Sequence, residues 1–179
     1  MKTKKIYLDL ETGGVEPSLH SILSIAVRDK ETNRTLSQLI KPQDNKCIDQ
    51  EALYYNGIEL EKNIKEGLSL RTTLDEVDFN YIGNSLPHLV YLIGWKVEFD
   101  YRFLVNAFKE NNKILPPIVL IDVKKIAKEK YPELFKTQKY VNQLTFYKYL
   151  FKEKPIQRED KALTDIDMTQ RIYEHLEDL

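Results

Sequence analysis

A short apolar run ending in two acids constrains this chain more than any other stretch. Ile6-Tyr7-Leu8-Asp9-Leu10-Glu11-Thr12-Gly13-Gly14 reads as a buried strand. Residues two apart in a strand share a face, so Asp9 and Glu11 would project side by side from the middle of a sheet. Like charges that close raise each other's pKa unless a positive group sits between them. A hard divalent cation is the usual remedy. The alternative is an edge strand whose acids lie in solvent. Thr12-Gly13-Gly14 lets the backbone turn sharply and lets a ligand approach closely.

The rest of the chain supplies a sheet for that strand. Ser21–Arg28 and Arg34–Lys41 read as two further strands across the polar turn 29–33, making an antiparallel meander. Glu51–Asn56 reads as a short helix ended by Gly57, and a helical stretch is expected between Leu68 and Leu86. The apolar run Leu89–Ile93 is a fourth strand, buried on both faces. A helix follows from Glu98 to Asn111, with Phe99, Phe103, Leu104, Ala107 and Phe108 on one stripe. Ile118–Val123 is a fifth strand. Helices are expected over Lys124–Lys130, Val141–Phe151 and from Lys161 onward, the last with Leu163, Ile166, Ile172, Tyr173 and Leu176 as its inner face. No repeat, low-complexity tract or linker interrupts residues 1–179, which read as one domain. This order predicts an α/β fold: a five-stranded mixed sheet, meander on one side, crossover-connected strands on the other, helices on the faces.

Composition narrows the setting. The one cysteine, Cys47, cannot form an internal disulfide, and no run is long enough to span a bilayer. The basic start is followed only by a short strand, too short for a signal sequence. These features point to a cytoplasmic protein without a membrane partner. The net charge is −1, but residues 123–154 hold nine lysines against three glutamates. Aromatics interleave with those lysines, as suits a single-stranded nucleic acid. Amphipathic helices with lysine-rich outer faces would give the same pattern.

Two more acids complete a set. Asp100 falls in the first turn of the helix after the fourth strand, and Asp165 in the first turns of the last helix. Each alone is ordinary at a helix N-terminus. With Asp9 and Glu11 they make four carboxylates from distant segments. Acids without a matching set of His or Cys favour Mg²⁺ or Mn²⁺ over Zn²⁺. Two such ions are the usual apparatus for hydrolysing a phosphodiester.

Asp9-Leu10-Glu11-Thr12-Gly13-Gly14 resembles the first motif of the DEDD 3′–5′ exonucleases. That superfamily includes the proofreading epsilon subunit of DNA polymerase III, RNase T and oligoribonuclease. Glu98-Phe99-Asp100-Tyr101-Arg102-Phe103-Leu104 is similar to its second motif, and Ala162-Leu163-Thr164-Asp165 to its third. Lys41-Pro42, Asn56-Gly57-Ile58, Asp122 and Tyr140–Leu144 are similar to secondary landmarks. The resemblance covers nearly the whole chain. It implies an RNase H-like (exonuclease) fold, two Mg²⁺ or Mn²⁺ ions, and release of 5′-mononucleotides from a 3′ end. Asp9, Glu11, Asp100 and Asp165 would ligate metal, and Thr12, Gly13 and Phe103 would border the terminal nucleotide.

Two departures stand out. The second motif usually opens His-Asn-Ala before Phe-Asp, and here the chain reads Trp95-Lys96-Val97-Glu98. The histidine branch of the superfamily has a general base five residues before its last Asp, where this chain has Asp160. The tyrosine branch has its Tyr four residues before, where this chain has Lys161. Three readings compete for the missing base. Asp160 is an N-cap of the last helix, or a substitute base, or the role passes to Glu159 or to a histidine, of which His20 is the best positioned. Loss of a general base costs about 10²–10⁴-fold, so a slow nuclease is expected. The leading reading is a 3′–5′ exonuclease of single strands, leaning to DNA, with a polymerase or repair partner. An oligoribonuclease-like or RNase T-like RNA exonuclease is the runner-up. A binding-only pseudo-exonuclease is the reading from another class. Oligomeric state is not legible.

Overall fold

The computed structural model describes residues 2–83 and 88–179. Five strands form one sheet: β1 (Lys2–Thr12), β2 (Ile22–Asp29), β3 (Thr35–Leu39), β4 (His88–Gly94) and β5 (Ile118–Asp122). Their spatial order is β3-β2-β1-β4-β5, with β1 at the centre. β1 runs antiparallel to β2 and parallel to β4, and β4 runs parallel to β5. The expected mixed sheet is therefore the one observed. The loop 13–21 and the turn 30–34 connect the antiparallel half, and α4 crosses over between the parallel strands β4 and β5.

The helices are α1 (Gln50–Asn56), α2 (Leu60–Glu66), α3 (Leu70–Val77), α4 (Val97–Glu110), α5 (Val123–Lys130), α6 (Pro132–Thr137), α7 (Gln143–Phe151) and α8 (Lys161–Glu177). α2 and α6 were not expected from the sequence. The helix expected over Leu68–Leu86 is α3 followed by a π-helical turn, Asp78–Ile82, and residues 84–86 lie outside the described residues.

The period of the strand divides the core. Ile6, Leu8 and Leu10 enter a cluster with Val77, Leu92, Phe103 and Leu104, under α3 and α4. Tyr7, one residue out of phase, enters the opposite cluster with Trp95, Phe146, Ile166 and Ile172, under α5, α7 and α8. Asp9 and Glu11 continue the Tyr7 row, so both carboxylates leave the sheet on the α8 face. On the buried side of α8, Ala162, Met168 and Thr169 join Ile166 and Ile172, while Leu163 is only partly buried.

The sheet opens where the acids sit. The β1–β4 pairing ends at Tyr7 and Ile93, and β4 stops at Gly94. Beyond that point β1 runs on without its parallel neighbour. A cleft fills the gap at the carboxyl ends of β1 and β4, the position that a reversal of strand order favours.

Candidate active site

The four expected acids meet in this cleft of about 860 Å³, which Asp9, Glu11, Asp100 and Asp165 all line. Asp9, Glu11 and Asp165 each offer a carboxylate oxygen within 4.8 Å of the others. Asp100 arrives from the opposite side. It lies in the first turn of α4, and its Oδ1 accepts the Leu10 N–H at 2.9 Å. That amide belongs to the residue between Asp9 and Glu11. The helix carboxylate thus takes up a strand donor that β4 has left behind.

The surroundings disfavour the charged form of each acid. Burial pushes Asp9 well above the usual carboxylate range, and Asp165, Asp100 and Glu11 push it further, against Lys161. Burial also raises Glu11, to about 7, with Lys161 opposing and Asp165 adding. Burial raises Asp100 well above its ordinary value, against the pull of the Leu10 N–H. Asp165 is raised by burial too, again with Lys161 opposing. Asp9 Oδ2 is enclosed and has no hydrogen-bond partner. An orphaned buried oxygen among all-carboxylate donors fits a hard divalent cation.

Lys161, noted from the sequence only as standing where the tyrosine branch has its Tyr, sits among the acids. Its Nζ lies 2.6 Å from Glu11 Oε1 and 3.1 Å from Asp165 Oδ2. Burial works against its charge, but Glu11 and Asp165 outweigh it and hold its pKa above the ordinary lysine value. The spacing from Lys161 to Asp165 is i to i+4 on one helix, a signal the sequence does carry.

Asp160, the candidate base, serves the start of α8. Its carboxylate accepts from Ser24 Oγ at 2.8 and 2.9 Å, from Ser37 Oγ at 2.7 Å and from the Ala162 N–H at 3.1 Å. Both oxygens are engaged, and Asp160 is not among the residues that line the cleft with Asp9. Ser24 lies across the β1–β2 ladder from Glu11. Asp160 therefore pins α8 so that the next residue, Lys161, sits over Glu11.

His20 packs against the turn rather than in the cleft. A Cβ on Gly14 would fall 2.3 Å from its ring, so only glycine fits there. Its Nδ1 accepts the Glu16 N–H at 3.0 Å, and its Nε2 pairs with Asp49 at 3.2 Å. His88 opens β4, and His175 meets the Tyr131 hydroxyl at 3.1 Å.

Of the three expected nucleotide contacts, Thr12 lines the cleft. Its hydroxyl donates to Gly14 O at 2.7 Å. Gly13 lies behind it, tied by its N–H to Ser21 O at 2.8 Å and by its carbonyl to the Asp49 N–H at 2.7 Å. Phe103 is 2% exposed and backs Phe99, with ring centroids 5.1 Å apart. Phe99 is the ring that faces the cleft, one helical turn earlier. The rim is basic and aromatic: Lys96, Lys124, Lys128, Lys139, Tyr55 and Tyr140 line it. Burial and neighbouring Lys96 push Lys124 below the ordinary lysine value, against Asp122. Part of the basic 123–154 segment thus faces the acids. Most of its aromatics do not; Phe146 and Tyr147 are core.

The family model RNase T, described as exonuclease, matches residues 6–173. No curated protein sequence matches. Among solved structures, the chain is similar to the zinc-bound form of Escherichia coli exonuclease I in complex with single-stranded DNA, with a TM-score of 0.72 at 16% identity. That match covers 97% of this chain and 40% of the other. A product-bound exonuclease I gives a TM-score of 0.71 at 16% identity, covering 99% and 44%. Exonuclease I of Methylocaldum szegediense gives 0.70 at 14%, covering 95% and 39%. At these identities the likeness establishes the fold. The chain spans about two fifths of the length of these proteins.

Proposed function

Since the chain belongs to the RNase T exonuclease family, we propose that it is a metal-dependent 3′–5′ exonuclease that shortens single strands, DNA foremost, to 5′-mononucleotides. The observation that carries the reading is the enclosed, partnerless Asp9 Oδ2 beside Glu11 and Asp165. A binding surface has no use for so unfavourable a cluster of acids; a metal-dependent hydrolase does.

Asp9, Glu11, Asp100 and Asp165 would hold Mg²⁺ or Mn²⁺, two ions in the working complex. When bound, such ions supply Lewis acidity toward a water and the scissile phosphate. The protein supplies position. Thr12 borders the terminal nucleotide with Gly13 behind it, and Phe103 fixes Phe99 against its sugar or base. Lys124, Lys128 and Lys139 attract the phosphates of the incoming strand, and Tyr140 offers a face for stacking. Structures of this fold with single-stranded DNA support the DNA preference. One exonuclease domain spans residues 1–179. It works in the cytoplasm, in replication or repair, with a polymerase or repair partner. Among the described residues no helix is long and apolar enough to cross a membrane.

The test is turnover of a 5′-labelled single strand, as DNA and as RNA, with Mg²⁺ or Mn²⁺. The wild type, Asp9→Ala and Asp160→His run side by side. Stepwise shortening from the 3′ end by the wild type and none by Asp9→Ala supports the reading. Faster cutting of RNA than DNA moves the substrate to RNA. A gain with Asp160→His gives position 160 access to the attacking water. A silent wild type with an active Asp160→His makes the natural protein a disarmed exonuclease that binds 3′ ends. Silence from both ends the nuclease reading.

A further inference from the structure

The cleft already holds one cation. Lys161 Nζ sits between Glu11 and Asp165, at 2.6 and 3.1 Å. On the other side of the cluster, Asp9 Oδ2 is enclosed without a partner and Asp100 faces the Leu10 N–H. The ammonium therefore occupies one edge of the acid set and leaves the Asp9 and Asp100 side without a cation.

Its backbone is fixed and its tip is not. Lys161 is the first residue of α8, and Asp160 before it is bound by Ser24, Ser37 and the Ala162 N–H. The Lys161 side chain is 45% exposed, whereas Glu11 is 5% and Asp165 16%. The carboxylates stay where the strand and helix put them, while a long lysine stem can swing its charge toward solvent.

Charge balance sets the order of events. With all four acids ionised, as cation binding requires, four carboxylates and one ammonium leave three negative charges, of which one divalent ion offsets two. A second divalent ion makes the cluster positive unless an anionic phosphate arrives with it. It also needs the oxygens of Glu11 and Asp165 that the ammonium holds, and two cations at one carboxylate edge repel.

Resting on the exonuclease reading, the geometry points to Lys161 as the resident occupant of the second cation position: one divalent ion binds the free protein beside Asp9, and a second enters only by displacing the Lys161 ammonium from Glu11 and Asp165. The displaced ammonium then faces the substrate phosphate that favoured the exchange.

The experiment is calorimetric titration of the metal-free whole chain with MnCl₂, without nucleic acid, for the wild type, Lys161→Met and Lys161→Arg. Thermal melts check that each variant folds. The wild type and Lys161→Arg should take one Mn²⁺, with a second at least about tenfold weaker. Lys161→Met should take two, the second at least about tenfold tighter than in the wild type. Paramagnetic resonance adds a readout independent of turnover. A spin-coupled Mn²⁺ pair should appear in Lys161→Met alone, and in the wild type only once an uncleavable phosphorothioate-ended strand is added. Two ions of similar affinity in the free wild type overturn the inference, and so does a second affinity that Lys161→Met leaves unchanged. No Mn²⁺ binding overturns it as well. If Lys161→Met does not fold, the wild-type and Lys161→Arg stoichiometries decide alone. Failure of the exonuclease reading has a different signature: no shortening of a strand by the wild type, whatever the Mn²⁺ count.

Discussion

On the floor of the cleft, Glu11 and Asp100 are each 4% exposed; on its wall, Tyr140 is 79% exposed, and Lys128 and Lys139 are exposed beside it. The floor groups are placed by strand register and by a hydrogen bond to the strand backbone. The wall groups stand on short helices and the loops between them. Buried acids interact strongly and cannot be traded one for another. Exposed lysines act through a screened field and add up. The chemistry should therefore fail in one step when the floor is changed, while affinity should fall by degrees when the wall is changed.

The largest effect belongs to the floor. Asp9→Ala should lower turnover by on the order of 10³-fold or more, read as mononucleotide release. Asp9→Asn should be as inactive, yet it should melt higher than the wild type in the absence of metal, because it removes a charge the fold disfavours. Equal melting temperatures would mean that the acids carry no strain, and the contrast between floor and wall would weaken.

A pH series sharpens the same point. The Glu11 carboxyl rises from 4.5 to about 7 on folding, so the native state binds more protons than the unfolded chain between those values. Stability from this group is full below about 4.5 and is lost as pH rises through 7. The melting temperature of the metal-free protein should fall from pH 5 to pH 7.5, and Mg²⁺ or Mn²⁺ should flatten the decline. A rise with pH would contradict the buried, repelling arrangement.

The wall should answer more gently. Lys124→Ala and Lys128→Ala should each weaken single-strand binding several-fold and lower the slope of log K against log salt by roughly 0.7. Turnover at saturating strand should stay close to that of the wild type. A collapse of turnover would make either lysine part of the floor.

The smallest effect concerns Lys96, whose φ of 60° is left-handed. A non-glycine residue pays about 1 kcal/mol or more there, and Asn least among the others. Lys96→Asn should raise stability by about that amount in a urea titration, with slightly weaker strand binding.

The same contrast governs what the sequence discloses. Asp9 and Glu11 are legible because a strand has a period of two, so their common face follows from spacing alone. Asp100 and Asp165 are legible because each follows a recognisable start of a helix. α2 is not, because its pattern is inverted. Asn63 is buried, donating to Leu23 O and Ile40 O, while Ile64 is 56% exposed. The wall is ambiguous for a related reason. Tyr140 and Phe146 sit in one aromatic stretch, and only packing against Trp95 and Tyr131 sends the second inward. Phe99 and Phe103 share a helical stripe, and only the packed fold shows that Phe103 is core and Phe99 meets the cleft. The sequence carries the i to i+4 spacing of Lys161 and Asp165, but the contact of Lys161 with Glu11 spans 150 residues, and no local pattern encodes that distance.

The bond from the Leu10 N–H to Asp100 gives the floor its own spectroscopic reporter. That amide proton is shared with a carboxylate whose electron density changes whenever a proton or a cation takes hold of it. Its resonance should move downfield when Asp100 is fully anionic and retreat as the carboxylate is neutralised. A single nitrogen-15 label at Leu10 would then follow the filling of the site in solution, with no substrate present and no chemistry under way.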